Sequence, residues 1–169
     1  SLSQFPDLQD LSFRYVTFDQ VKSAYAHQVR ALIAGGVDTL LVETIFDSLN
    51  AKAALAAIEE VFEKDKVELP IQISAAVGPG GETMISGQVT EAYLNAMRHV
   101  RPLSIGLNCS LGPDKMRPFL EELAQLYQLL RRRPLVDTIE CSMLVLMQEV
   151  GGADVGRQHR FFDHAVGVV

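Results

Sequence analysis

The sequence predicts an α/β fold in which parallel strands alternate with helices, as in part of a (β/α)8 TIM barrel. Short apolar runs alternate with amphipathic segments from residue 17 to residue 130, the order that builds right-handed βα units. The predicted strands end near Glu43, Ala76 and Cys109 at equal intervals, which favours a barrel over a doubly wound sheet. Because a complete barrel needs about 250 residues, a chain of 169 predicts a partial barrel of about three to four βα units.

The first helix and strand follow an irregular segment, residues 1–16, which contains Pro6 and has no sustained hydrophobic period. Thr17 is a typical N-cap, and apolar residues then recur at helical spacing until Gly35 and Gly36 end the helix. The run VDTLLVET is short, apolar and rich in β-branched residues. These features are typical of a buried parallel strand.

The same order of helix and strand then recurs along the chain. The predicted helices are residues 48–64, 90–99 and 114–130, and the predicted strands are residues 69–77 and 102–109. Residues 78–88 are predicted to form a flexible glycine-rich loop. Asp47 or Ser48 is expected to cap the first of these helices. Pro118 must lie in the first turns of the last helix to be tolerated there.

After residue 130 the alternation stops. Residues 131–169 contain one plausible amphipathic helix, at about 135–150, and no clear strand. The sequence therefore predicts a partial barrel domain at 1–130 and a divergent tail at 131–169.

Composition and charge exclude several classes of function. The net charge is −6, and the longest basic cluster is Arg131–Arg133, which argues against nucleic acid as the main partner. The longest strongly apolar run is far shorter than the roughly 20 residues that cross a bilayer. Two cysteines are too few for a disulfide framework, and the start of the chain has no signal-peptide pattern. A cytoplasmic location is the expectation.

Chemically useful side chains are expected at the carboxyl ends of the strands, where βα loops converge. Glu43 ends an apolar strand, so its carboxylate could receive a cationic group such as a substrate amine, or could accept hydrogen bonds from loop amides. Cys109 could be a ligand or nucleophile, but a buried cysteine also serves as a small hydrophobic residue. The sequence singles out no histidine partner for Cys109 among the candidates His99, His159 and His164.

Four strings of the sequence resemble one enzyme family in order and almost without gaps. They are VTFDQVKSAYAHQVRALIAGGVDTLLVETIFDSLNAKAALAAI, LPIQISAAV, ETMISGQVTEAYLNAMRH and LSIGLNCSLGPDKMRPFLEELA. Together they resemble the homocysteine-binding domain of cobalamin-dependent methionine synthase, from about residue 12 to residue 128. The likeness to betaine- or S-methylmethionine-dependent relatives is weaker.

The resemblance implies roles for individual residues. Cys109, in the GLNC string, corresponds to one of three thiolates that bind a catalytic zinc, and Glu43 corresponds to a contact of the homocysteine amine. Asn108 is implied as a further substrate contact, with the loop at Ser86–Gln88 near the same mouth. Zinc with three protein ligands keeps a fourth position for the substrate thiolate. The implied reaction is methyl transfer from methylcobalamin to this thiolate, giving methionine, with cobalamin carried by another domain.

The sequence also departs from the family pattern. The other two zinc ligands belong to a GGCC-type string, and this chain has no Cys-Cys pair; the early barrel strands are absent as well. The resemblance therefore implies a chain that is inactive by itself. The alternatives are a non-catalytic binding or scaffolding module, an unproductive fragment of the enzyme, and a methyltransferase that acts on another thiol.

Overall fold

The computed structural model describes residues 1–4, 6–108, 111–131 and 166–168. The elements in chain order are helix α1 Phe18–Ala34, strand β1 Thr39–Ile45, helix α2 Ser48–Asp65, strand β2 Ile71–Ala75, helix α3 Thr90–Met97, a 3₁₀ turn Arg98–Val100, strand β3 Ser104–Leu107, helix α4 Pro113–Arg131 and strand β4 Val166–Val168. Each predicted helix and strand from residue 17 to residue 130 is present. The predicted α/β alternation is therefore confirmed.

The strands form one parallel sheet in the order β3-β2-β1-β4. Strand β1 pairs with β2, and β2 pairs with β3, so consecutive βα units lie side by side. This arrangement is compatible with part of a TIM barrel and confirms the predicted fold class.

The tail contributes a strand to this sheet, because β4 pairs in parallel with β1 along its other edge. The prediction of no clear strand after residue 130 is therefore wrong for Val166–Val168. The reason is physical: a run of three residues is too short to show the alternation by which a strand is recognised. The helix predicted at about 135–150 lies outside the described residues.

Local signals explain where the first two helices begin and end. Thr17 and Gln20 form a capping box, in which the Thr17 side chain accepts a hydrogen bond from the Gln20 backbone and the Gln20 side chain accepts one in return. Asp47 caps α2, as predicted, because its carboxylate accepts from the Leu49 backbone N–H at 2.9 Å. Lys66 ends α2 in the left-handed conformation.

The core lies between the sheet and the helices on one of its faces. On the strands, Leu40, Val42, Ile73, Ile105 and Leu107 are buried in this cluster. Helix α2 contributes residues that recur at helical spacing, namely Ala51, Ala54, Leu55, Ile58 and Val61. Among the helices that the structure describes, none combines the length and hydropathy required to cross a membrane.

Candidate functional site

The carboxyl ends of β1 and β3 bring together two of the residues predicted to form the site. Glu43 is half-buried and lies two residues before the end of β1, while Asn108 follows the last residue of β3 and is 4% exposed. Successive side chains of a strand point to opposite faces. Because Leu40 and Val42 point into the helix-covered core, Glu43 emerges on the other face of the sheet, which in a barrel is the interior.

The end of β1 has an unusual backbone. Its register with β2 shifts between Val42 and Ile45, so the strand bulges at Glu43 and Thr44. Within this bulge Thr44 has a φ of 56°, in the left-handed region that β-branched residues rarely occupy. Such a conformation costs on the order of 1–3 kcal/mol and persists only where surrounding contacts hold it.

A buried hydrogen-bond network joins the ends of three strands through Asn108. The Asn108 side-chain N–H donates to Thr44 Oγ1 at 2.8 Å, and its Oδ1 accepts from Ser74 Oγ at 3.1 Å. The Asn108 backbone N–H donates to the Ala75 carbonyl at 2.8 Å. The bulge in β1 is thus tied to the ends of β2 and β3.

A cavity of about 330 Å³ lies beside Glu43 at the carboxyl end of β1. Its lining includes Glu43, Thr44, Tyr25, Asp47 and Asn50. Burial raises the pKa of the Tyr25 phenol above its ordinary value. The residues around the cavity therefore include acids, a phenol and an amide, side chains that suit a small polar ligand carrying an amine.

Asp47 holds the start of the chain against this cavity. Its carboxylate accepts hydrogen bonds from the Ser1 hydroxyl, from the Ser3 backbone N–H at 2.9 Å and from the Ser3 hydroxyl at 2.6 Å. The Leu2 N–H donates to Asn50 Oδ1 at 2.8 Å. Burial acts to raise the pKa of Asp47, but the bonds from Ser1, Ser3 and Leu49 outweigh it and leave that pKa below its ordinary value. The sequence carried no signal for this attachment.

The glycine-rich loop at 78–88 lies at the strand mouth as predicted, but hydrogen bonds hold it there. The Ile85 N–H donates to the Phe46 carbonyl at 2.9 Å. The Ser86 hydroxyl lies 3.1 Å from that of Ser48 and 2.7 Å from that of Thr83, which is 1% exposed. These contacts attach the loop after β2 to the loop after β1, and the flexibility expected of this loop stays a prediction.

Other candidate residues are not brought to the site or cannot be placed. His99 is exposed, and its ring nitrogen lies 3.1 Å from the Ala96 carbonyl, at the amino end of β3 rather than its carboxyl end. Cys109, His159 and His164 lie outside the described residues. Within the described ranges, no group of three His, Cys, Asp or Glu side chains could hold a metal ion.

The sheet is parallel, and polar side chains lie at the carboxyl ends of its strands. This is the architecture of α/β proteins whose functional sites lie on the βα loops. Within that class the family is also shown: the family model of homocysteine S-methyltransferase matches residues 2–148. The chain therefore belongs to the homocysteine S-methyltransferase family. The match continues past residue 130 into the predicted tail, and the division of the chain at that residue stays a prediction.

Proposed function

We propose that this chain supplies the homocysteine-binding part of a cobalamin-dependent methionine synthase. In that reaction a methyl group passes from methylcobalamin to the homocysteine thiol, and methionine is formed. The observation that carries the proposal is Glu43, a half-buried acid among the residues that line a cavity at the carboxyl end of β1, in a chain that belongs to the homocysteine S-methyltransferase family.

Glu43 is proposed to bind the substrate amine. Among the described residues it forms no ion pair, whereas the nearby Asp47 carboxylate is already occupied by Ser1, Ser3 and Leu49. Glu43 is thus the acid in this cavity that can pair with an ammonium group. Partial burial strengthens such a pair, because the effective dielectric constant is lower there than in water.

Cys109 is proposed to be one protein ligand of a zinc ion. Zinc, when bound, would hold the substrate thiol as the thiolate and so favour its attack on a methyl donor. The donor set within this sequence does not complete such a site, because the sequence has two cysteines, Cys109 and Cys141, and three thiolates are expected. The remaining ligands and the cobalamin-binding domain are therefore proposed to come from outside these residues, and the isolated chain is proposed to be inactive.

A non-catalytic binding module is the second candidate function. The cysteine count favours it, since a chain that cannot assemble the metal site can still bind a ligand or partner at the Glu43 cavity. Both candidates predict homocysteine binding only if Glu43 and its cavity are intact. Zinc content bears on the first candidate: near one zinc per chain, lost on Cys109→Ala but retained on His99→Ala, would support the methyltransferase and mean that Cys141 or a second copy of the chain completes the site. No zinc in any version would count against a metal site built by this chain alone.

The binding role of Glu43 is tested by calorimetric titration of homocysteine into the chain and two variants. Glu43→Gln removes the charge in the cavity, and the matched control Glu68→Gln makes the same change at an exposed position before β2, at the opposite end of the sheet. Loss of a hydrogen bond to a charged group costs about 1.5–3 kcal/mol, so Glu43→Gln is expected to weaken binding about 10- to 100-fold. Equal affinities of the two variants would refute this role.

A further inference from the structure

We infer that Asn108 is a positioning residue: its buried amide holds the left-handed bulge at Thr44 and thereby fixes the Glu43 carboxylate relative to the end of β3. This inference rests on the proposed function, because it assigns to Asn108 a role in shaping the homocysteine site instead of contacting the substrate. Asn108 is also followed directly by Cys109 in the chain. The Asn108 amide therefore connects the backbone next to Cys109 with Thr44, the residue that follows Glu43.

The amide of Asn108 is committed to the protein on both of its polar atoms. The N–H donates to Thr44 Oγ1 at 2.8 Å, and Oδ1 accepts from Ser74 Oγ at 3.1 Å. The side chain is 4% exposed. The amide keeps a second N–H and a second oxygen lone pair, but little of it is open to a ligand, and a positioning role uses the contacts as they stand.

The hydrogen bond from Asn108 holds Thr44 in its left-handed conformation. A β-branched residue with a φ of 56° returns to extended backbone unless contacts oppose the change. Extension would remove the bulge, in which Glu43 and Thr44 together face a single residue of β2. Because Glu43 lies in this bulge, loss of the Asn108 bond is expected to change its backbone direction and to displace its side chain.

A double-mutant cycle separates positioning from direct contact. Asn108→Ala removes the bond, and Thr44→Gly places at the bulge a residue that adopts a positive φ without strain. If Asn108 acts through Thr44, Asn108→Ala weakens homocysteine binding about tenfold in the parent chain and less than about threefold when Thr44→Gly is also present. If Asn108 touches the substrate, the loss is the same in both backgrounds, which would overturn the inference.

A second readout does not depend on homocysteine. The carbon-13 chemical shifts of Thr44 report its backbone conformation, and they are expected to move toward extended values in Asn108→Ala. Ser104→Ala is the matched control, because it removes a different buried polar group, the β3 hydroxyl that donates to Gln72 Oε1 at 3.1 Å, and it should leave the Thr44 shifts unchanged. Unchanged Thr44 shifts in a folded Asn108→Ala chain would overturn the positioning role.

The two readouts fail in different ways. If the parent chain does not bind homocysteine while the Thr44 shifts still depend on Asn108, the proposed function is wrong and the structural link stands. If homocysteine binds but the Thr44 chemical shifts are the same in the parent chain and in Asn108→Ala, the proposed function stands and the inference is wrong. Should Asn108→Ala not fold, Ser74→Ala and Asn108→Leu replace it. Ser74→Ala leaves the bond to Thr44 intact and should leave the Thr44 shifts unchanged, whereas Asn108→Leu keeps the size of the side chain, cannot hydrogen-bond to Thr44 Oγ1 and should move them.

Discussion

Replacement of Asp47 is expected to loosen the start of the chain and the start of α2 together. In Asp47→Ala the helix loses its N-cap, which costs about 1 kcal/mol. It also loses the bonds that Ser1 and Ser3 donate to a buried carboxylate. Hydrogen bonds to a charged group each contribute about 1.5–3 kcal/mol to stability. Because the Ser1 and Ser3 donors can form hydrogen bonds with water instead, only part of this contribution is lost in Asp47→Ala. The expected destabilisation is about 2–4 kcal/mol.

Two measurements check this expectation. Urea unfolding gives the free energy of unfolding, and in the thermal melt the loss corresponds to a Tm lower by about 5–15 °C for a chain of this size. Amide exchange follows the attachment itself, because the Ser3 N–H should exchange faster in Asp47→Ala. The matched control Asp19→Ala removes an exposed acid from the first turn of α1 and is expected to cost less than about 1 kcal/mol. Equal losses in the two variants would refute the reasoning.

Two further predictions concern pH and the glycine-rich loop. Lys64 and Lys22 hold the pKa of the partly exposed Glu60 at about 2, below its ordinary value. The stability that this gives is present above pH 4.5 and lost as the pH falls towards 2. The urea midpoints of the parent and Glu60→Gln should therefore converge in acid, and a constant gap would contradict this. Gly81 has a φ of 84°, and an added Cβ would overlap the Phe119 ring, whereas Gly87, at 63°, faces open space. Gly81→Ala should therefore destabilise by about 1–3 kcal/mol more than Gly87→Ala in urea unfolding, and equal losses would refute the overlap.

Much of the fold could be predicted because its signals are local. Thr17 and Gly35 mark the ends of α1 in the sequence itself, and the apolar β-branched run around Val42 identifies β1 without knowledge of its neighbours. Position at the end of such a strand also marked Glu43 as a site candidate, whereas Asn108 came from the family resemblance. Both residues indeed lie at the carboxyl ends of their strands.

What could not be predicted depends on contacts between distant parts of the chain. The left-handed conformation of Thr44 contradicts the preference of a β-branched residue, and it follows from a bond to Asn108, 64 residues away. The attachment of Ser1 and Ser3 to Asp47 joins a segment with no hydrophobic period to a helix cap. Local propensity carries no information about such pairs.

The most direct test of the central claim maps homocysteine onto the chain by nitrogen-15 NMR. Titration of the uniformly labelled chain should shift the amide signals around Glu43, Thr44 and Asp47 at the carboxyl end of β1, together with Leu107 and Asn108 at the end of β3. Shifts confined to these strand ends would support a homocysteine site built on Glu43. Shifts concentrated at the amino ends of the strands, near Glu68, or no shifts at millimolar homocysteine, would contradict it.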